Sequence, residues 1–252
     1  MSDIKKYLNP LIKELETHSL KCFYSKNILK VSSTKTSINI YVGENKLSKK
    51  NSANIIYIPI DYIITRPTKI VSIVLSKLNL NKTIFARNCI IEKIDKTQAV
   101  NFFNAWHFFE STNSAYNYGL FYKEELIGAA SFSKGRKMNR LPEGKQSFEL
   151  IRFCCKSGIT VTGGLSKLMS YFCNEKNAGD IMTYVDKQFS KGESFIKAGF
   201  KLHSETPPIK FLVNKKTFER IALTNTEAFD KKIVYLTQNL GNLKLIYSGN
   251  EK

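Results

Sequence analysis

ELIRFCC (residues 149–155), GITVTGG (158–164), LSKLMSYF (165–172), IMTYVD (181–186) and FIKAGF (195–200) follow one another, and their order decides the fold. The first is an apolar run of strand character, the second a glycine turn, the third an apolar-periodic helix, the fourth another strand. A strand that enters a helix through a glycine turn leaves unpaired backbone N–H donors and the positive end of the helix dipole aimed at one point, which suits an anionic group. Thr162, Gly163, Gly164, Leu165 and Ser166 are the residues of that turn, and the phosphates of a nucleotide-type cofactor match it. The two glycines permit close backbone approach, either to a phosphate or to a neighbouring strand. Alternation along ELIRFCC sends Cys154 and Cys155 to opposite faces.

Working upstream, YGLFYKEELIGAASFS reads as a hairpin with KEE as its polar turn, and KGRKMNRLPEGKQ as a basic loop before the ELIRFCC strand. TQAVNFFNAWHFF reads as a helix with Ala99, Val100, Phe102, Phe103 and Trp106 on its apolar side, and FARNCIIEKI as a strand. Nearer the start, Ile4, Tyr7, Leu8, Leu11, Ile12 and Leu15 recur at helical spacing despite Pro10. Strand-like runs follow at CFYSKNILKVSS, SINIYVG and NIIYIPIDYII, with the polar basic loop KLSKKNS between the last two, and KIVSIVLSKLNL reads as a largely buried helix. A boundary after LNLNK, near residues 80–86, divides the chain into 1–85 and 86–252. The expected class is α+β, with a small basic N-terminal lobe and a mixed β-sheet flanked by helices.

The 252 residues carry a formal net charge of +18, split as +9 over residues 1–85 and +9 over the rest. The shorter part is therefore the denser in positive charge. Such an excess favours polyanions through phosphate contacts and counterion release, which makes nucleic acid the leading partner class, narrowed to double-stranded DNA only by the resemblances that follow. A hydrophobic content of 42% supplies a real core. The five cysteines form no CxxC pair and no metal-finger spacing, as in a reduced, cytoplasmic protein. No run approaches the roughly 18 apolar residues that span a bilayer, and the N-terminus lacks an apolar leader core.

The order of hairpin, ELIRFCC strand, glycine turn, helix, IMTYVD strand, short helix and AGF resembles the GNAT acetyltransferase fold, in which the turn binds the pyrophosphate of acetyl-CoA. TVTGGLSK departs from that family's Q/R-x-x-G-x-G/A pattern, offering only the adjacent Gly163 and Gly164. AWHFFESTNSAYNYGLFYKEELIGAASF, with ELIRFCC and TYVDKQFSKGESFIKAGF, is similar to the Mom-type branch of that fold, phage proteins that modify adenine in DNA. That resemblance places the family's functional His and Asp on His107 and Asp186, and its later Tyr on Phe195, which has no hydroxyl. Residues 70–248 also resemble the C-terminal block of phage Hef-like homing endonucleases, through IFARNCIIEKI, VTGGLSKLMSYF, TYVD, KAGF and IVYLTQNLGNLKLIYS. The N-terminal lobe of those enzymes is a restriction-type nuclease holding a divalent metal on acidic side chains. Here Asn39 stands at the strand Asp, and Glu44 and Asp61 are the only acids between residues 31 and 80, so the resemblance implies an eroded nuclease with no metal site.

The leading expectation is a DNA-binding protein of phage or mobile-element origin whose cleavage is lost. Lys46, Lys49 and Lys50 of KLSKKNS, with Lys134, Arg136, Lys137 and Arg140 of the second basic loop, would contact phosphates. The alternative is a GNAT-like, Mom-like transferase that modifies a nucleobase with acetyl-CoA or a related CoA donor. There the glycine turn would hold the donor, and His107 and Asp186 would serve the acceptor or a metal, while Tyr184, Ser190 or a water would supply a proton. Asp186 has a competing role as cap of a helix starting near Ser190. A third expectation is an active metal-dependent endonuclease.

Overall fold

In the computed structural model the structure describes residues 2–43, 55–223 and 230–248. The chain divides into one unit of Met1–Leu80, Asp186–Ser190 and Thr206–Asn242 and another of Asn81–Val185, Lys191–Glu205 and Leu243–Lys252.

The first unit begins with α1 (Ser2–Thr17), which contains Pro10 and buries Leu8, Leu11 and Leu15 along one stripe. β1 (Lys21–Ser25) and β2 (Ile28–Ser32) form a hairpin whose two loop residues, Lys26 and Asn27, take left-handed backbone, as a tight two-residue turn demands. β3 (Ser37–Val42) pairs antiparallel with β2 and parallel with β4 (Ile55–Ile58), which gives a four-stranded sheet in the order β1-β2-β3-β4. NIIYIPIDYII is not one strand. Pro59 lacks the N–H that the ladder needs, and the chain turns at once into α2 (Ile60–Thr65) and then α3 (Pro67–Lys77).

The second unit carries the glycine turn. FARNCIIEKI, expected as one strand, is β5 (Lys82–Phe85), a single 3-10 turn (Ala86–Asn88) and β6 (Ile90–Lys93). α4 (Lys96–Trp106) follows, opened by a reciprocal cap in which Asp95 accepts from Gln98 N–H at 2.8 Å and Gln98 accepts from Asp95 N–H at 3.1 Å. β7 (Tyr116–Tyr122) and β8 (Glu125–Phe132) form the expected hairpin, turning on Lys123 and Glu124 in left-handed backbone. Then come β9 (Gln146–Cys155), β10 (Ile159–Thr162), α5 (Gly164–Lys176), β11 (Ala178–Asp186), α6 (Glu193–Lys197) and β12 (Lys201–Glu205).

At Thr206 the chain returns to the first unit with β13 (Lys210–Asn214), β14 (Arg220–Ala222) and β15 (Val234–Gln238), a three-stranded antiparallel sheet in the order β14-β13-β15. The expected single cut into 1–85 and 86–252 is therefore corrected. The physical reason is a buried ion pair: Arg220 donates through Nε and Nη2 to the two carboxylate oxygens of Asp61, both at 2.9 Å, with the guanidinium 4.0 Å over the Tyr62 ring. Asp61 is 1% exposed and the Arg220 side chain 8%.

β16 (Asn242–Tyr247) completes a seven-stranded sheet in the order β12-β16-β11-β9-β8-β7-β6, antiparallel from β6 to β9 and parallel between β9 and β11. β5 stands outside it, pairing parallel with β10. The core on one face of the large sheet gathers around Phe172 of α5, whose ring stacks on Phe132 at 3.8 Å and meets Tyr118 and Phe148 edge-on. A smaller cluster of Ala99, Phe102, Phe103 and Ala129 lies under α4. The protein is thus α+β with a mixed sheet flanked by helices. Among the described residues no helix is long and apolar enough to cross a membrane.

Candidate active site

β9 and β11 pair in parallel from Gln146–Ala178 to the rung Glu149–Met182, and there the ladder stops although both strands run on, to Cys155 and Asp186. Beyond the last rung Thr183 Oγ1 donates to the Leu150 carbonyl at 2.9 Å, a side-chain bond where main-chain pairing ends. The strands part on the side of the sheet's carboxyl ends, where open sheets place their ligands.

One face of this opening can be read from the register. Glu149 and Met182 are partners and share a face, so Tyr184, two residues on, shares it too. Opposite β8, β9 carries an irregularity: Leu150 pairs with Phe132 but Arg152 with Ser131. The extra residue, Ile151, restores Arg152 and Cys154 to the face of Glu149, the side on which Cys154 packs with the α4 cluster. Cys155 packs in the larger core, as alternation predicts. Arg152 donates through Nε to the Glu110 carbonyl and through Nη1 to the Ile151 carbonyl, both at 2.9 Å. Burial draws its pKa below the usual guanidinium value, and the charge of Glu149 opposes that shift. The buried Ser131 Oγ, cross-strand from Arg152, has no hydrogen-bond partner among the described residues. Tyr184 is 43% exposed.

His107 caps the C-terminus of α4, giving its N–H to Phe103 O, and its Nδ1 accepts from Phe109 N–H at 3.1 Å. An accepting Nδ1 leaves the proton of a neutral ring on Nε2. The ring stands edge-on to Phe103 at 6.1 Å. Glu110, whose carbonyl binds Arg152, gives its own N–H to the His107 carbonyl, so the end of α4 is tied to β9.

The glycine turn has the expected backbone. Gly163 lies at φ 78 as the N-cap of α5, a conformation that disfavours side chains, and α5 has no side-chain cap. Its first intrahelical bond runs from Lys167 N–H to Gly163 O, so the amides of Gly164, Leu165 and Ser166 face outward along the axis. Gly164 has a different purpose, since a Cβ there would meet Val161 Cγ1 at 3.0 Å and Leu120 Cδ1 at 3.1 Å. Thr162 is exposed and pairs with Phe85 of β5, while Leu165 is buried. Lys167 Nζ is spent on the carbonyls of Ala86 and Cys89, which also explains why the 86–89 segment turns instead of continuing as a strand.

Asp186 and Ser190 fall in the first unit, His107 and Tyr184 in the second. Asp186 does not cap a helix at Ser190: α6 begins at Glu193 with Gly192 as its cap. Its Oδ1 accepts from Gln188 N–H at 2.8 Å and its Oδ2 from Asn239 Nδ2 at 3.4 Å, which closes the 186–190 turn. Burial raises its pKa above the usual carboxylate value, against the lowering effects of the Gln188 N–H, the Asn239 amide and Arg220. Phe195 packs edge-on against Phe200 at 5.6 Å. Of the basic candidates, Lys134, Arg136, Lys137 and Arg140 are exposed, and the Arg140 guanidinium binds Asp180 Oδ2 through Nε at 3.1 Å and Nη2 at 2.5 Å. Lys46, Lys49, Lys50 and Glu44 lie outside the described residues. Glu149, Arg152 and Ser131 were missed by sequence reasoning, because only the register gathers them.

The likeness is to acetyltransferases. An acetyltransferase from Bacillus subtilis in complex with CoA is 13% identical, with 64% of this chain and 98% of that chain covered and a TM-score of 0.38. A GNAT family acetyltransferase from Elizabethkingia anophelis with acetyl-CoA bound is likewise 13% identical over 64% of this chain and 98% of that one, with a TM-score of 0.39. At such identity and score the likeness says nothing about what this chain binds. No family model and no curated protein matches the chain.

Proposed function

We propose that the chain is an acyl-CoA-dependent transferase acting on an amine. The observation that carries this reading is the parting of β9 and β11 beyond the Glu149–Met182 rung, on the same strand-to-helix path as the glycine turn. A free strand edge pairs with an extended amide-bearing arm in the way that strand addition works. An uncapped helix N-terminus suits a pyrophosphate. The residues fit such a donor: the amides of Gly164, Leu165 and Ser166 with the Thr162 and Ser166 hydroxyls would hold its phosphates, and Gly163 adds no side chain to the approach. When bound, a CoA thioester supplies an activated acyl group.

In this reading Glu149 takes the proton of the acceptor amine, and the Arg152 side chain stands on the same face of the sheet. Tyr184 presents a phenol proton on the same face, and His107 positions the end of α4. The acceptor class follows from charge. A formal +18, with Lys134, Arg136 and Lys137 exposed on the loop that leads into β9, favours a polyanion, and an exocyclic amine of a DNA base is the acceptor that fits both. A base inside a duplex would first have to be flipped out.

The same charge supports a second reading, DNA binding without transfer in a lineage related to phage homing endonucleases. Engagement of Asp61 by Arg220 supports loss of cleavage there, since that carboxylate is already spent. Acetyl-CoA should raise the melting temperature of the wild-type chain, because a ligand that binds only the folded state stabilises it. The shift should be lost in Gly163→Val and kept in Glu149→Gln, while acyl transfer to a single-stranded oligonucleotide is lost in both. An unchanged melting temperature at millimolar acetyl-CoA, with DNA binding intact, selects the second reading.

A further inference from the structure

At the opposite end of β9 and β11 from their parting, a cleft of about 1080 Å³ opens within the second unit, between the loop before β9, the C-terminal half of α5, the start of β11 and the outer strands β12 and β16. Its size matches ligands much larger than a single inorganic anion. Asp180 lies in its lining and is 3% exposed. Both contacts from Arg140 go to Oδ2, and Oδ1 has no hydrogen-bond partner among the described residues. A buried carboxylate oxygen without a donor is costly, so its occurrence beside a cavity marks where a donor is missing. Lys145, Lys201 and His203 also line the cleft; Lys201 and His203 are exposed, and Lys145 is steered by Asn177 Oδ1. Tyr247 contributes an aromatic wall. The cleft therefore asks for three things together: a hydrogen-bond donor at Asp180, an apolar body, and negative charge at the lysines.

We infer that this cleft binds a free nucleoside phosphate, with an amino group of the base donating to Asp180 Oδ1 and the phosphate near Lys201 and Lys145. The ligand differs from the acyl donor in place and in recognition, so the inference stands whether or not the chain transfers acyl groups.

Calorimetric titration of the full chain with AMP, IMP, adenosine and inorganic tripolyphosphate tests it. AMP should bind with sub-millimolar affinity, and both adenosine and tripolyphosphate should bind at least about tenfold more weakly. Asp180→Asn replaces the orphan acceptor by a donor, so it should weaken AMP about tenfold while sparing or favouring IMP, whose ring presents a carbonyl at that position. Lys201→Ala with His203→Ala, both at exposed positions that leave the fold unstrained, should weaken AMP and IMP alike. No heat with AMP at millimolar concentration, tripolyphosphate binding as tightly as AMP, or affinity unchanged in the Lys201/His203 double variant would each overturn the inference.

Discussion

Asp61 and Arg220 show at the residue scale how much depends on a contact that spans 159 positions of sequence. Two buried charges tolerate each other only as a pair, so removing one partner should cost roughly 3–5 kcal/mol, whereas replacing both by apolar groups of similar volume should be near neutral. Urea denaturation of Arg220→Met, against Arg220→Met with Asp61→Leu, checks this: the double variant should be the more stable. Asp186 makes a second prediction. Its raised pKa means that the folded state favours the protonated carboxyl, so its contribution is complete below the ordinary value of 3.8 and is lost as pH rises through the raised value. Relative to Asp186→Asn, the wild type should lose stability as pH rises from below the ordinary value of 3.8 through the raised one, and a flat difference across that rise would remove the shift. The thiols of Cys22 and Cys173 are both pushed up to about 11, mainly by burial, which disfavours the reactive thiolate. Asp61 is a lone acid inside the apolar run NIIYIPIDYII, but nothing local in the sequence names Arg220, far along the chain, as its partner.

Elements were the most legible scale, and the reasons for the exceptions are local. The β7–β8 hairpin, α4, α5 and the strand-turn-helix path all follow from apolar period and turn residues. The expected strands break at Pro59 and at Ala86–Asn88, where a missing N–H or a lysine reaching from α5 competes with the ladder. The start of α4 offers a test at this scale. Asp95 accepts from Gln98 N–H and Gln98 from Asp95 N–H, so Asp95→Ala should cost about 1 kcal/mol, with Asp95→Ser restoring most of it in thermal melts. The irregularity at Ile151 is an element-scale feature, and it alone puts Glu149 and Arg152 on one face. Strict alternation from the sequence would have set them on opposite faces.

For the whole molecule, charge and topology answer to different kinds of information. The excess of 39 basic over 21 acidic residues is fixed by composition, and under the proposed DNA-directed function it predicts binding that weakens with salt. Replacing Lys134, Arg136 and Lys137 together by Ala should weaken duplex binding and reduce the steepness of log affinity against log salt by up to about 3, with fluorescence anisotropy as the readout; an unchanged slope would take these residues out of the interface. The sequence by itself determined the net charge, the glycine turn, the order of strands and helices around it and the α+β class, because each of these depends on neighbours a few residues apart. Only the tertiary structure decided that residues 206–242 join the first unit, that β5 pairs with β10 outside the main sheet, that β9 and β11 part after Glu149, and that Asp180 ends beside a cleft. Those outcomes are choices among distant partners, made when burial and hydrogen bonding repay the entropy of closing long loops, and a local pattern carries no record of which partner wins.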